Sequence, residues 1–266
     1  MTHPDLERLT AEIMAAPKYR AISPDLIRSV AARELAIRKS YKDALKEAKT
    51  RLHQVAAVYQ EARPDYAAWL ADLRAAAGET AALAARERLL LSRHASTRER
   101  LPILTAFYAA TLGDLPPIRS VLDLACGLNP LAWRAMPLAA QPRYDCCDLF
   151  DDMAAFLNSC FVIAGLDGRA EVRDLLGGPP PIVADVALLL KTWPVLEQLE
   201  KGAALRLLRA IDAPTVIVSF PLQSLGGRGR GMGAFYEQQF RAAVVREPWQ
   251  IEMFSFTSEL AFRVRK

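Results

Sequence analysis

The chain has 266 residues, 52% of them hydrophobic and 24% charged, which is typical of a globular protein with one or two domains. No segment has the roughly 20 consecutive apolar residues of a membrane-spanning helix, and the N-terminus lacks the pattern of a secretion signal. The four cysteines have neither C-x-x-C spacing nor paired histidines nearby. We therefore expect a cytoplasmic protein with reduced thiols, no metal site and no membrane contact.

The net charge of +4 is distributed unevenly along the chain. Residues 1–100 carry 18 Lys and Arg against 13 Asp and Glu, whereas the remaining residues carry 16 against 17. A basic N-terminal part attached to a neutral remainder indicates a module that docks on a polyanion beside a catalytic domain.

Hydrophobic spacing predicts that residues 1–91 form an all-helical domain, with helices over 5–16, 24–37, 42–59 and, on both sides of Gly78, 62–91. Basic residues recur at steps of three and four around the third helix and so share one face: Lys39, Lys42, Lys46, Lys49 and His53. In isolation such a face is more often simply solvated. No acidic residue is interleaved among them at that spacing, which makes this face a candidate for phosphate contact.

A further helix is predicted from Ser96 or Thr97 to Leu112, followed by a break at 113–117. From spacing alone, His94 is interpreted as a structural histidine. Arg100 is interpreted, on the same grounds, as a surface charge or an ion-pair partner.

The stretch 120–130 predicts a buried strand, then a turn of small residues over 125–127, and then the start of a helix. Asp123 lies near the end of the strand, and Gly127 stands alone where a dinucleotide-binding loop would need two or three glycines. This pattern suits a ligand with a ribose but no pyrophosphate, such as S-adenosylmethionine. A strand-turn-helix unit that serves only as scaffold is the alternative.

Strands and helices alternate from there, which predicts a parallel sheet. The predicted strands cover 143–148, 170–173, 185–190 and 215–220, with helices over 151–164 and 196–210 and an antiparallel pair over 249–256 and 259–264. Asp148 and Asp174 end two of these strands, at the sheet edge where such folds bind a ribose and a base. We expect residues 92–266 to form an α/β, Rossmann-like class I methyltransferase sheet behind the helical domain.

The loop 219–232 has four glycines and two arginines, Arg228 and Arg230, directly after a strand. A flexible linker is the simplest interpretation. Arginines between glycines would also bring guanidinium and backbone groups close to phosphates or a base. A phosphate-binding P-loop is excluded because G-K-[ST] is missing.

Several segments together resemble the aminoglycoside-resistance 16S rRNA methyltransferases that methylate N7 of a guanine in the ribosomal decoding site. The specific motifs are H-A-S-T-x-E-R over 94–100 and S-L-G-G-R-G-x-G-M over 224–232. Weaker matches cover 18–20, 50–53, 121–130, 147–148 and 219–221. The matches extend over nearly the whole chain, in the order and spacing of that family.

The resemblance implies a set of residues that bind S-adenosylmethionine, with Arg100 pairing with its carboxylate and Asp148 holding its ribose. Asp174 and Leu175 would frame the adenine. The full set is Tyr59, His94, Ala95, Ser96, Arg100, Ala125, Gly127, Asp148, Asp174, Leu175 and Leu190. The resemblance thus replaces the simpler interpretations of Arg100 as a surface charge and of the lysine face as merely solvated.

The resemblance also implies that the helical domain docks on 16S rRNA in the small ribosomal subunit. The basic residues expected to contact RNA are Lys18, Arg20, Lys39, Lys42, Lys46, Lys49 and Arg51. A monomer without metal is the expectation for such an enzyme.

Two departures from the family pattern stand out. Thr192-Trp193 occupies a place where the family usually has an aliphatic pair, and Leu149-Phe150 stands where relatives often carry isoleucine and histidine. We expect Trp193 to stack on a flipped target base, together with Arg228 and Arg230, while none of the cofactor-binding groups is lost.

The expected reaction is direct displacement, in which guanine N7 attacks the sulfonium methyl group. N7 has a free lone pair, so no general base is required. Three alternatives remain open at this point: an adenine-N1 methyltransferase at a neighbouring base, favoured only by Trp193, a non-catalytic rRNA-binding factor, and a small-molecule methyltransferase.

Overall fold

The computed structural model describes residues 3–19, 22, 24–57, 64–222 and 231–266. In these ranges the helices are α1 His3–Met14, α2 Pro24–Ile37, α3 Tyr41–Ala57, α4 Tyr66–Ala75, α5 Thr80–Leu91, α6 Ala95–Arg100, α7 Leu104–Leu112, α8 Asp151–Ala164, α9 Trp193–Leu199, α10 Ala203–Ala210 and α11 Met232–Val244. The strands are β1 Ile118–Leu124, β2 Leu138–Asp148, β3 Asp167–Val172, β4 Val186–Leu190, β5 Thr215–Pro221, β6 Gln250–Ser255 and β7 Glu259–Arg265. No helix within these described ranges is both long and apolar enough to cross a membrane.

The strands form one sheet in the order β3-β2-β1-β4-β5-β7-β6. Strands β1 to β5 are parallel, and β7 runs antiparallel between β5 and β6. This arrangement confirms the predicted α/β methyltransferase fold, including the antiparallel pair at the end of the chain. The carboxyl ends of the parallel strands lie along one edge of the sheet. The strand order reverses between β1 and β4, and folds of this type bind ligands at this edge, next to the reversal.

Successive residues of the central strands face opposite sides of the sheet, as the strand period requires. Val121 packs into one buried cluster with α7 and α8, whereas Leu122 and Leu124 pack into a second cluster with α9, α10 and α11. Because both faces are covered, the central strands are apolar along most of their length.

The N-terminal helices extend the first of these clusters. Helices α1, α2 and α3 bury Leu9, Ile27 and Leu52 between them. Helix α4 packs on α8, where the rings of Tyr66 and Phe156 stack with centroids 4.7 Å apart. The predicted domain boundary at residue 91 remains a prediction.

Several local features differ from the predictions. The helix expected from Ser96 or Thr97 to Leu112 is divided into α6 and α7 by a 3₁₀ segment, Leu101–Ile103. The helix expected over 196–210 is divided into α9 and α10, because Gly202 adopts a left-handed conformation with φ of 84°. The helix expected after the turn at 125–127 is a 3₁₀ segment, Asn129–Ala135. Helix α11 was not predicted, since it buries only Phe240 and Val244 and so lacks a clear apolar stripe.

Candidate active site

The turn after β1 forms the floor of the candidate site. Ala125 and Gly127 both have positive φ, 52° and 51°. The His94 ring packs directly on Gly127, and a Cβ placed there would lie 2.8 Å from the ring's Cε1. Glycine is therefore required at this position on two grounds, its backbone conformation and the space available. The strained Ala125 is of the kind that concentrates at functional sites.

His94 is buried behind this turn. Burial lowers the pKa of its imidazole to about 4, and the nearby charges of Lys191 and Arg100 act in the same direction. The ring is consequently neutral at pH 7 and packs as an uncharged group against the turn.

Asp148 lies at the end of β2, and the backbone holds its carboxylate in place. The amide N–H of Gly127 donates to Oδ2 and that of Leu149 to Oδ1, both at 2.7 Å. Burial raises the pKa of this carboxyl, and the two amide hydrogen bonds oppose the rise. Each oxygen retains a further lone pair, so the group can still accept from a ligand hydroxyl.

Asp174, two residues beyond β3, is positioned in a similar way. Its Oδ1 accepts the amide N–H of Leu176 at 2.9 Å. Burial raises the pKa of this carboxyl, while hydrogen bonds from Leu176 and Ser29 lower it. The turn thus places one carboxylate beside Leu175 and Leu176.

A cleft runs along the sheet edge between these carboxylates and contains about 650 Å³ of free space, counting the mouth that opens to solvent. Its walls include Ala125, Asp148, Asp174, Leu175, Leu176 and Thr192. A mainly apolar lining with a few fixed polar groups is typical of small-molecule sites. The structure thus brings together the four predicted cofactor residues Ala125, Asp148, Asp174 and Leu175.

The surroundings of Arg100 differ from the expectation. Arg100 is 1% exposed, and its Nε and Nη2 donate to the carboxylate of Glu259 at 2.9 and 2.7 Å. Its Nη1 donates to Oδ1 of Asn129 at 2.9 Å. Arg100 thus lies in a buried polar cluster with Glu259 and Asn129, apart from the residues that line the cleft. A buried guanidinium needs an acid partner inside the protein, and Glu259 is that partner.

Asn129 extends the polar cluster to β1 and β2. Its Nδ2 donates to Asp123 at 2.8 Å, and the Tyr144 hydroxyl donates to the same oxygen at 2.8 Å. The Tyr108 hydroxyl donates to Asn129 at 2.7 Å. Asp123, expected near the ligand, is therefore buried within this cluster.

Lys191 also belongs to this polar cluster and was missed by the sequence analysis. It follows β4 with φ of 59°, and its Nζ lies 2.7 Å from Glu99 and 3.7 Å from Glu259. The Nζ also donates to the carbonyl of Ser96. Its position directly after a parallel strand was a usable signal, whereas nothing local in the sequence pointed to Glu259.

Trp193 is not placed where a target base could stack on it, which contradicts the expectation. The side chain is 3% exposed and packs in the second buried cluster, with its ring centroid 5.1 Å from that of Phe240 and 6.2 Å from that of Phe220. The ring packs on the face of the sheet that α9 and α11 cover. Removing its large apolar surface from water stabilises the fold.

The other predicted site residues do not line the cleft or cannot be placed. Ala95 and Ser96 are half-buried at the start of α6, and Leu190 is buried at the end of β4. Tyr59, Arg228 and Arg230 lie outside the described residues.

The predicted RNA-binding residues divide into two groups. Lys39, Lys42 and Lys46 are exposed, and Lys49 is half-buried, 3.6 Å from Glu12. Arg51 instead contacts the buried Glu34 at 2.5 Å and donates to the carbonyl of Leu199 at 2.7 Å. Arg20 and the side chain of Lys18 lie outside the described residues.

The chain matches proteins of one family along most of its length. A family model described as "Ribosomal RNA methyltransferase (FmrO)" matches residues 15–262. The 16S rRNA (guanine(1405)-N(7))-methyltransferase of Frankia casuarinae is 39% identical over 266 residues, covering 98% of this chain and 94% of the relative. The enzyme of the same name from Serratia marcescens is 36% identical over 255 residues, covering 96% of each.

Solved structures give the same result. The 16S rRNA methyltransferase RmtF in complex with S-adenosyl-L-homocysteine has a TM-score of 0.82 and 33% identity, covering 100% of this chain and 99% of RmtF. The 16S rRNA methylase RmtB has a TM-score of 0.79 and 30% identity, covering 98% of each chain. The chain belongs to the FmrO family of ribosomal RNA methyltransferases.

Proposed function

We propose that this chain transfers the methyl group of S-adenosylmethionine to N7 of a guanine in the decoding site of 16S rRNA and so confers aminoglycoside resistance. The target is the guanine named for its relatives, guanine 1405. The observation that carries the proposal is the cleft at the carboxyl edge of the sheet, with Asp148 fixed by the Gly127 amide at its centre.

The residues of the cleft fit this cofactor. Asp148 would accept from the ribose hydroxyls, as an acidic residue at the end of β2 does in folds of this type. Asp174 would accept from the adenine amino group while Leu175 packs on the ring. When bound, S-adenosylmethionine supplies an activated methyl group on a sulfonium.

The residues of the chain would hold the cofactor and the target base in position and enclose them. His94 packs on Gly127 beneath the turn, and Leu190, buried at the end of β4, would lie near the sulfonium as the family resemblance implies. Guanine N7 has no proton to lose, so we assign no acid or base. The contribution of the protein is orientation and exclusion of water.

Docking on the small subunit would use three exposed lysines, Lys42 and Lys46 of α3 and Lys39, two residues before this helix. These charges would contact phosphate groups of the rRNA, whereas Arg51 is engaged within the chain. The adenine-N1 alternative has lost its support, because it depended on a tryptophan that the structure buries.

The proposal is tested by methyl transfer from labelled S-adenosylmethionine to purified small subunits, followed by borohydride-aniline cleavage and primer extension. Scission at a decoding-site guanine is the expected result. Asp148→Ala should abolish transfer, and Arg169→Ala, a change at an exposed residue of β3, should leave it intact. Label without scission, with a stop at an adenine, would overturn the N7 assignment. Absence of transfer with S-adenosylhomocysteine still bound would exclude this substrate.

A further inference from the structure

Helix α2 of the N-terminal helical part forms one wall of the cleft that contains Asp148 and Asp174. Leu26 and Val30, one turn apart on α2, line the cleft and are 2% and 5% exposed. The opposite wall is built by Ala125, Leu175 and other residues of the sheet edge. The cleft is therefore enclosed between two parts of the chain that are distant in sequence.

A backbone bridge, an ion pair and a side-chain hydrogen bond connect α2 and the residues before it to residues at the edge of the cleft. Before α2, Ile22 forms an antiparallel bridge with Phe150, two residues after Asp148. On the other side, Arg33 of α2 lies 2.7 Å from Glu200. The Ser29 side chain reaches the carboxyl of Asp174.

The neighbouring helix α3 supports the same wall. Arg51 of α3 holds the buried Glu34 of α2 at 2.5 Å and donates to the carbonyl of Leu199, itself a residue of the cleft wall. The ion pair is oriented by Arg38, which donates to Glu34 at 2.9 Å. The position of α2 is thus fixed by charge pairs as well as by apolar packing.

The shape of the cleft suits a flat aromatic group between the two walls. The space open to the centre of a water molecule is only about 50 Å³, so the walls lie close together. Leu26 and Val30 on one side and Leu175 on the other are apolar, and Asp174 supplies an acceptor near them. An adenine ring needs two apolar faces and an acceptor for its amino group.

We propose that helix α2 is part of the cofactor site, with Leu26 and Val30 forming the outer wall against the adenine. This inference rests on the proposed placement of the cofactor in the cleft. It assigns to helix α2 a direct role in binding S-adenosylmethionine, in addition to the docking of the helical part on rRNA.

The test measures the Kd of S-adenosylhomocysteine by calorimetry on the full chain. Val30→Phe places a ring in the cleft and should weaken binding by about tenfold or more, since overfilling a packed space is costly. Val30→Ala removes part of the wall and should weaken binding by about threefold. Ile27→Ala is the matched control, because Ile27 is fully buried on the same helix but does not line the cleft.

The outcomes separate this inference from the proposed cofactor site. Asp148→Asn should weaken binding if the site is correctly placed. Weakening by Asp148→Asn with normal affinity in both Val30 variants would overturn the role of α2 alone. Normal affinity in all three would overturn the site and the inference together. Equal weakening by Ile27→Ala would show that α2 acts only through stability and would also overturn the inference.

Hydrogen exchange provides a readout that does not depend on a variant that folds well. S-adenosylhomocysteine added to the unmodified chain should slow exchange of the amides in α2, residues 24–37, and in the segment 148–150. Slower exchange confined to 148–150 would contradict a contact between α2 and the ligand.

Discussion

Two regions beside the turn after β1 are built in opposite ways: the cleft, or cleft end, and the polar cluster around Arg100, or closed end. At the cleft end, Asp148 and Asp174 are held by backbone amides and face free space. At the closed end, Arg100 and Lys191 are buried and each pairs with the buried Glu259. The carboxylates of the cleft end keep unused acceptor capacity, whereas the charges of the closed end are satisfied by partners within the chain.

A charged side chain therefore has different consequences in the two regions, depending on whether backbone amides or other charged side chains satisfy it. Backbone amides satisfy a carboxylate without using its whole capacity, so a ligand hydroxyl can still bind there. The Arg100 guanidinium is shared between Glu259 and Asn129, which ties α6, β7 and the turn after β1 together. If Arg100 binds the cofactor carboxylate as the resemblance implies, that carboxylate must share it with Glu259.

The largest effect should come from breaking the closed end. Glu259→Ala leaves the guanidinium of Arg100 buried without its carboxylate, and we expect a loss of about 3–5 kcal/mol in the free energy of unfolding, measured by urea denaturation. Arg209→Ala, which breaks an exposed pair with Glu247, should cost far less. Similar losses for the two variants would contradict a structural role for the buried pair.

A smaller effect should come from the floor between the two ends. Gly127→Ala combines a strained backbone, at about 1–2 kcal/mol, with a clash against His94, at about 1–3 kcal/mol. Gly165→Ala is the matched control, because Gly165 also has positive φ but open space around it, so only the backbone cost applies. Thermal unfolding of both variants measures the difference in stability. Equal losses of stability would show that the His94 ring moves aside without cost.

The fold and the sheet-edge side of the cleft were largely predictable from the sequence because both depend on local patterns, whereas the wall formed by Leu26 and Val30 of α2 was not. The strand that ends at Asp148 and the turn at Gly127 are each contained in a few adjacent residues. The closed end was not predictable, since Arg100 and Glu259 are 159 residues apart and meet only through the order of the strands. The burial of Trp193 was missed for the same reason, because it depends on Phe240 in α11.

The closed end should also respond to pH in a way that one substitution isolates. Burial raises the pKa of Asp123 from 3.8 to about 7, although hydrogen bonds from Asn129 and Tyr144 oppose the rise. Between these values the folded chain binds a proton more tightly than the unfolded chain, so this contribution to stability falls as the pH rises. Asp123→Asn keeps an oxygen for both donors and removes the titration.

Urea denaturation of the two proteins at several values between pH 4 and pH 7 measures this contribution. The unmodified protein should lose stability relative to Asp123→Asn as the pH increases over this window. A difference between the proteins that is independent of pH would mean that Asp123 is ionised throughout.

The smallest effects on stability should come from the exposed lysines of the helical part, which contrast with the buried Lys191. Lys42→Ala and Lys46→Ala remove solvated charges, so the thermal midpoint should stay close to that of the unmodified protein. Their effect belongs to binding: each lost phosphate contact should reduce the slope of log K against log salt for small subunits by about 0.7–0.9. Arg169→Ala serves as the control for an exposed charge on the distant β3 edge. An unchanged slope in both lysine variants would exclude this face of α3 from docking, and the cofactor cleft would be unaffected by that result because it shares no residue with the face.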